Sequence, residues 1–148
     1  MRPASGIVLL IAGLACGAEV ERTANPSARG LTDADFPRVQ RLADGVYSYE
    51  QLRSAGDERF TTVSMFVVTS QGVLVADGQG SPGETQRLVD AIAGITDQPI
   101  THIVICSDHG DHTAGNVVFP QGAVFLAHPT SAATLAAKRR RGQSAQPL

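Results

Sequence analysis

The hydrophobic positions of the chain change their spacing several times, and each spacing predicts a different element. The folded part begins at 38–42, and a turn is predicted at 43–45. Three segments before residue 80 are rich in apolar and β-branched residues and predict strands: 46–49, 61–69 and 73–77. The last two flank a short turn at 70–72 and predict a β-hairpin. Segment 51–59 is polar and contains Gly56 and Asp57, so we expect a loop there.

A helix and then another strand are predicted next. Ser81 can cap the helix, Pro82 suits its first position, and Glu84 would complete a capping box. The apolar residues that follow share one helical face: Leu88, Val89, Ile92 and Ile95. A strand is predicted at 100–106, and its apolar run 103–106 indicates burial on both faces. The order strand, helix, strand predicts a parallel βαβ crossover.

The C-terminal part of the chain repeats this order. Segment 122–127 predicts another strand of the buried type, and an Ala- and Leu-rich helix should run from Ala132 to about Arg139. His128 precedes Pro129, and we interpret it as a helix-entry residue in preference to a ligand. Cations complement the dipole at a helix C-terminus, so we expect the basic run 138–141 to be a solvated helix end.

The first 18 residues have the pattern of a signal peptide. Arg2 precedes the uncharged apolar run 6–18, which is too short to span a bilayer and ends in small residues. Cleavage after Ala18 would give a secreted or periplasmic protein. Cys16 offers a lipid-anchored lipoprotein as the alternative, which ranks lower because Gly13 replaces the leucine usual at that position.

Composition narrows the class of protein. The chain has 148 residues, 43% of them hydrophobic, with a net charge of −2, which suits one globular domain of modest size. This balance predicts no basic surface for nucleic acid, and the hydropathy predicts no transmembrane segment. With the leader and its Cys16 removed, Cys106 has no disulfide partner in the chain and should behave as a small core residue.

The residues that could bind a metal ion are concentrated just after the strand predicted at 100–106. Two histidines and two aspartates fall within residues 108–112, at the carboxyl end of a predicted strand, where α/β folds keep ligand sites. Imidazole and carboxylate groups suit Zn²⁺ and similar divalent ions, so His109, Asp111 and His112 are candidate metal ligands. Side chains on so tight a loop can serve two different ions. The alternative is that they are solvated polar residues.

The segment 106–116 resembles the metal-binding loop of the metallo-β-lactamase superfamily. That loop has the pattern His-x-His-x-Asp-His, often followed by Thr-Gly-Gly-Asn. The matching residues of this chain are His109, Asp111, His112, Thr113, Gly115 and Asn116. Ser107 stands in place of the first histidine, and Ala114 in place of a glycine. The resemblance extends from about residue 37 to about residue 137.

The resemblance implies an α/β fold of the αββα type, a four-layer sandwich that holds one or two Zn²⁺ ions. It implies a hydrolase in which metal-activated water attacks the amide, ester or thioester carbonyl, or a phosphoryl group, of a small-molecule substrate. Asp111 would bind metal and orient that water. Asp77 would brace the loop through hydrogen bonds, although it also suits a simple turn. Ser107 is a poor zinc ligand, so one dominant ion is expected, with Asp108 as a substitute ligand.

Only the first half of the family's domain is represented. The second half supplies further metal ligands, yet no His, Cys or Asp follows His128. We divide the chain into a signal peptide (1–18), a linker (19–36), a partial metallo-β-lactamase-like domain (37–141) and a polar tail (142–148).

Two alternatives to a catalytic chain follow from this division. One is a truncated or degenerate half-domain without catalysis, which acts as a binding or assembly module, and the other is a structural fragment. A half-domain exposes one apolar face of its sheet, and such surfaces favour self-association. His102, before or within the predicted strand, is left out of the site.

Overall fold

The computed structural model describes residues 25–142, so the predicted signal peptide and nearly all of the polar tail lie outside the described residues. Six strands form one sheet: β1 (Arg38–Ala43), β2 (Val46–Ala55), β3 (Glu58–Thr69), β4 (Gly72–Ala76), β5 (Ile100–Ile105) and β6 (Val124–Ala127). Three helices accompany them: α1 (Pro82–Ala93), the single turn α2 (Gly110–Thr113) and α3 (Pro129–Arg140). Short 3₁₀ turns lie at Pro26–Arg29, Asp33–Asp35 and Asn116–Val118. Within residues 25–142, no helix has the length and apolar character that a bilayer crossing requires.

The strands lie side by side in the order of the sequence. β1 to β4 are antiparallel neighbours joined by tight turns, whereas β5 pairs in parallel with β4, and β6 in parallel with β5. The predicted hairpin and the βαβ crossover through α1 are therefore both confirmed. The carboxyl ends of β4, β5 and β6 consequently meet at one edge of the sheet.

The loop predicted at 51–59 is wrong. β2 and β3 continue as a paired ribbon through this segment, and the chain reverses only at Gly56 and Asp57, between the partners Ala55 and Glu58. Gly56 has a φ of +59°, a left-handed conformation that glycine adopts without strain. The end of this ribbon extends into solvent, so its side chains are polar and the segment carries no hydrophobic pattern, although its backbone is fully extended.

The start of α1 differs from the prediction in one detail. Ser81 caps the helix by accepting a hydrogen bond from the Glu84 backbone N–H at 3.3 Å, as expected. Glu84 does not complete a capping box, because its carboxylate is ion-paired with Arg53 of β2 at 2.7 Å. This pair joins the β2–β3 ribbon to the beginning of α1.

One face of the sheet carries the hydrophobic core. The buried apolar side chains come from four strands, from α1 and α3 and from the segment after α2: Tyr49, Phe66, Val73, Val75, Leu88, Ile92, Ile100, Ile103, Ile105, Phe119 and Leu135. They form a single cluster, so α1 and α3 cover the same face. Tyr47 stacks on Phe66 with ring centroids 5.0 Å apart, which extends this cluster toward β1.

Most of the other face of the sheet is uncovered by the described residues, and we call it the open face. It is defined by Val63, Met65, Val124 and Leu126, which are 48, 40, 49 and 46% exposed. Strand register aligns Met65, Ala76, Val104 and Leu126 in one row across β3, β4, β5 and β6. The predicted burial of β5 and β6 on both faces is therefore wrong, because nothing in the described part of the chain covers their second face.

The end of the predicted linker is ordered and lies against the open face. Glu50 of β2 is 4% exposed, and its carboxylate pairs with Arg29 in the first 3₁₀ turn. Thr61 donates a hydrogen bond to the same carboxylate at 2.7 Å, and Arg38 lies 3.9 Å away. Because Glu50 pairs with Val63 across β2 and β3, it points to the open face. Residues 25–36 are thus held near the β2–β3 side of that face.

Candidate metal site

The candidate loop crosses from the end of β5 into α2 at the sheet edge where β4, β5 and β6 end. His109 is the residue before α2 and keeps an extended backbone, with φ −73° and ψ 152°. The Thr113 hydroxyl donates to the His109 carbonyl at 2.8 Å and is 1% exposed. This hydrogen bond spans the single turn α2 and stabilises it. Asp111 and His112, which belong to this turn, are therefore held at this edge of the sheet.

Asp77 joins this loop to the neighbouring strand. It follows β4, is 5% exposed, and has a φ of +62°, a left-handed conformation that aspartate tolerates better than most residues. Its Oδ1 accepts a hydrogen bond from the Cys106 backbone N–H at 2.7 Å, and its Oδ2 lies 3.0 Å from His112 Nδ1. One carboxylate thus contacts both ends of the candidate loop.

The contact with Asp77 determines which ring nitrogen of His112 faces outward to a ligand. A carboxylate accepts only, so His112 Nδ1 carries the hydrogen and the neutral ring presents Nε2 as a lone pair. A carboxylate bonded to the second ring nitrogen is the usual support of a metal-ligating histidine. His112 Nε2 lies 3.5 Å from Asp111 Oδ2. Two ligand atoms of a tetrahedral ion with bonds of ~2.1 Å lie about 3.4 Å apart, so this pair has ligand spacing.

The other predicted site residues do not join this pair. Among residues 25–142, no group of three His, Cys, Asp or Glu side chains is placed to hold a metal ion. His109, Asp111 and His112 are consequently not brought together as one ligand set, and His109 is exposed. The residues present fit two ligands of one ion, and any further ligand must come from another side-chain conformation or another part of the protein.

Hydrogen bonds hold both proposed substitute ligands in place, through the side chain of Ser107 and through the backbone of Asp108. The Ser107 hydroxyl accepts a hydrogen bond from the His109 N–H at 3.3 Å. The Asp108 backbone carbonyl accepts one from Lys138 of α3 at 2.7 Å, so part of the basic run is tied to the loop and is not a solvated end.

Both remaining histidines lie outside the pair. The His128 side chain accepts a hydrogen bond from the Thr130 N–H at 3.2 Å and caps α3, which confirms it as a helix-entry residue. His102 is exposed, and its Nδ1 lies 3.0 Å from the Thr101 hydroxyl.

Cys106 does not behave as a core residue. Cys106 directly follows β5, and the alternation that buries Ile103 and Ile105 puts it on the open face, where it is exposed. Partial burial of the thiol, together with the adjacent Asp77 carboxylate, raises the pKa of Cys106. The thiol is therefore a weaker nucleophile and ligand near neutral pH than a free cysteine.

A buried polar network below the loop was not predicted. Gln79, fully buried, donates from Nε2 to the Ser64 hydroxyl at 2.7 Å and accepts from the Thr62 hydroxyl at 2.9 Å. Its backbone carbonyl accepts from the Gly115 N–H at 3.0 Å, which fixes the exit of the loop to the end of β4. A Cβ on Gly115 would lie 1.9 Å from the Thr85 hydroxyl, so only glycine fits. These hydrogen bonds form only when distant segments of the chain pack together. Isolated polar residues in the sequence therefore did not predict the network.

Comparison with known proteins identifies the fold. No protein-family model matches this sequence, and no curated protein matches it at the level of sequence. Solved structures do match. A metallo-β-lactamase from Pontibacter korlensis is 19% identical, with a TM-score of 0.65 over 74% of this chain and 50% of that one. One from Erythrobacter litoralis is 18% identical, with a TM-score of 0.61 over 68% of this chain and 45% of that one.

A third match agrees with these two. The mono-zinc form of the metallo-β-lactamase FIM-1 from Pseudomonas aeruginosa is 15% identical, with a TM-score of 0.62 over 74% of this chain and 48% of that one. The chain spans about half the length of the structures it matches. Its fold is therefore that of half a metallo-β-lactamase domain, which confirms the predicted fold class.

Proposed function

We propose that this chain supplies part of the active site of a zinc-dependent hydrolase acting on a small-molecule substrate. The observation that carries the proposal is the chain of contacts from Asp77 to His112 and on to Asp111, at the strand-end edge of a metallo-β-lactamase-like sheet. His112 Nε2 and an Asp111 carboxylate oxygen would be two ligands of the ion, with His109 as a further ligand or that of a second ion. Zinc, when bound, supplies a more acidic water and stabilises negative charge on a substrate oxygen.

The roles of the side chains follow from their contacts. Asp77 holds His112 with its Nε2 lone pair free, so the ring needs no proton rearrangement to bind an ion. Asp111, next to that nitrogen, would hydrogen-bond the attacking water and aim it at an amide, ester or thioester carbonyl. A catalytic zinc commonly has three protein ligands, and this chain offers two at ligand spacing. Affinity for zinc should therefore be weak in the isolated chain.

Zinc titration tests the proposal. We expect measurable zinc binding by calorimetry in the metal-free wild-type chain, at least tenfold weaker in His112→Ala and in Asp111→Ala. His102→Ala is the matched control, because this histidine is exposed and outside the loop, and it should bind like the wild type. Equal titrations of all four proteins would show that the loop is not the metal site.

We propose in addition that the protein is exported, by the leader 1–18, and is secreted or periplasmic. The support is the positive residue Arg2 followed by the apolar run 6–18. Zinc-binding hydrolases that depend on no cytosolic cofactor can work in that compartment, so export and the proposed activity are compatible.

A second candidate function, an assembly module, is favoured by the open face. We propose that a second copy of the chain covers it. The exposed apolar row of this face runs across the four neighbouring strands β3 to β6, and a contiguous exposed apolar patch of this kind marks an interaction surface. The row from Met65 to Leu126 is uncharged, so two copies can meet without burying an unpaired charge.

Light scattering during gel filtration tests this association. Wild-type chain should elute as a dimer, while Met65→Lys and Leu126→Lys should be monomers because each would bury an ammonium group. Ile95→Lys is the control: Ile95 is 39% exposed but follows α1, away from the open face, so this variant should stay dimeric. A monomeric wild type with a cooperative melt, or aggregates of undefined size, would contradict the proposal.

A further inference from the structure

Lys138 makes a contact that its place in a basic run did not predict. Its ammonium donates a hydrogen bond to the backbone carbonyl of Asp108 at 2.7 Å, and the side chain is half-buried. Three residues earlier on α3, Leu135 is 3% exposed in the core, so the helix that carries Lys138 is firmly placed. The bond joins this helix to the backbone immediately before His109.

The hydrogen bond from Lys138 to Asp108 lies between two other contacts that restrain the loop. Asp77 accepts from the Cys106 N–H at the beginning of the loop, and Thr113 donates to the His109 carbonyl at its end. Between them, the bond that the His109 N–H donates to the Ser107 hydroxyl is long, at 3.3 Å. A bond from a charged donor is stronger than one between neutral groups, so Lys138 is the main restraint on this stretch.

We infer that Lys138 is a positioning residue, which holds the 106–112 loop in the conformation that brings Asp111 beside His112. The inference rests on the proposed metal site, but its first consequence concerns the loop alone. Without Lys138, the loop should open more often even in metal-free protein. The Asp111 and His112 side chains would then spend less time at ligand spacing, and zinc affinity should fall.

Loss of the Lys138 charge should by itself strengthen zinc binding, whereas loss of its positioning contact should weaken it. The two effects have opposite signs, so the inference can be tested. Removing a cation near a site that binds a divalent ion should by itself strengthen binding. A weaker affinity in Lys138→Met can therefore come only from lost positioning. Arg139→Met removes the same charge from the next residue of α3, which is exposed, and provides the matched control. Lys138→Arg keeps a charged donor and should rescue both properties.

The experiment measures amide hydrogen exchange of residues 106–114 by mass spectrometry in metal-free protein, and zinc affinity by competition with a chromogenic chelator. In Lys138→Met we expect loop exchange about fivefold faster, as the loss of one hydrogen bond gives, and zinc binding three- to tenfold weaker. Lys138→Arg and Arg139→Met should stay within twofold of the wild type.

Unchanged loop exchange in Lys138→Met, or tighter zinc binding, would overturn the inference. If this variant does not fold, Lys138→Gln takes its place, with the same expected direction. A wild type that binds no zinc would refute the proposed function, while the exchange measurement would still decide the role of Lys138.

Discussion

Asp77→Asn is the substitution that tests the candidate site most sharply. Asparagine has nearly the same shape and also tolerates the left-handed backbone, here with a φ of +62°. It can accept only one of the two hydrogen bonds that Asp77 accepts. If its oxygen accepts from the Cys106 N–H, its NH₂ group faces His112 Nδ1, and the ring must move its hydrogen to Nε2.

The magnitude follows from these two bonds. Loss of a carboxylate that supports a metal-ligating histidine typically costs 10- to 100-fold in affinity, or about 1.4–2.7 kcal/mol at 25 °C. Stability should fall by only about 1 kcal/mol, since the bond to the Cys106 N–H is kept and the charge-assisted bond to His112 is replaced by one between neutral groups. A large loss of zinc binding with a small change in unfolding free energy is therefore the expected signature.

Two measurements check this reasoning independently. Long-range ¹H–¹⁵N NMR spectra of metal-free protein report the tautomer of His112, which should change from Nδ1–H to Nε2–H in Asp77→Asn. Chelator competition reports the zinc affinity. Asp57→Asn removes the same charge from the exposed tip of the β2–β3 ribbon and should alter neither. Retention of the Nδ1–H tautomer, or of wild-type zinc affinity, would refute the role given to Asp77.

Three further predictions concern other parts of the protein. Gly115→Ala should lower the unfolding free energy by about 1–3 kcal/mol in chemical denaturation, because its Cβ would meet the Thr85 hydroxyl; an unchanged midpoint would contradict the packing. Iodoacetamide should alkylate Cys106 faster in Asp77→Asn than in the wild type at pH 8, because removing the carboxylate lowers a raised thiol pKa, and a slower rate would show that Asp77 does not raise it. Mass spectrometry of protein from its native host should find a mature start near Glu19 or an acylated Cys16, whereas intact Met1 chain in the cytosol would contradict export.

The elements that the sequence predicted correctly depend on local pattern. β3, β4, α1 and β5 each have a full hydrophobic period and clear turn or cap residues, so their type and order follow from the residues themselves. The ribbon at 51–59 was missed because its side chains have no hydrophobic alternation. Its two strands pair through backbone hydrogen bonds, which the side-chain pattern does not reveal. The exposure of Cys106, Val124 and Leu126 was missed because an apolar run does not reveal whether a second layer covers it.

The candidate site was only partly predictable for a related reason. His109, Asp111 and His112 share a recognisable spacing, but the torsion angles of the loop decide which of them approach each other, and His109 is exposed and forms no ligand set with the other two. The contact between Asp77 and His112 joins residues 35 positions apart, and the one between Lys138 and Asp108 joins residues 30 apart. Such contacts depend on how β4, β5 and α3 pack, which no local pattern specifies.

The β2–β3 ribbon has a mechanical consequence. The last partners that β3 shares with β4 are Met65 and Ala76, so residues 58–64 are paired on one side only. Thr62 and Ser64 are still tied to Gln79 by side-chain hydrogen bonds, so the free end of β3 is residues 58–61, which is roughly 14 Å long at ~3.4 Å per residue. This free end acts as a lever, because a rotation of ~10° at its base moves its tip by about 2.4 Å. The ion pair between Arg53 and Glu84 lies along this arm, so breaking it would lengthen the free part of the lever.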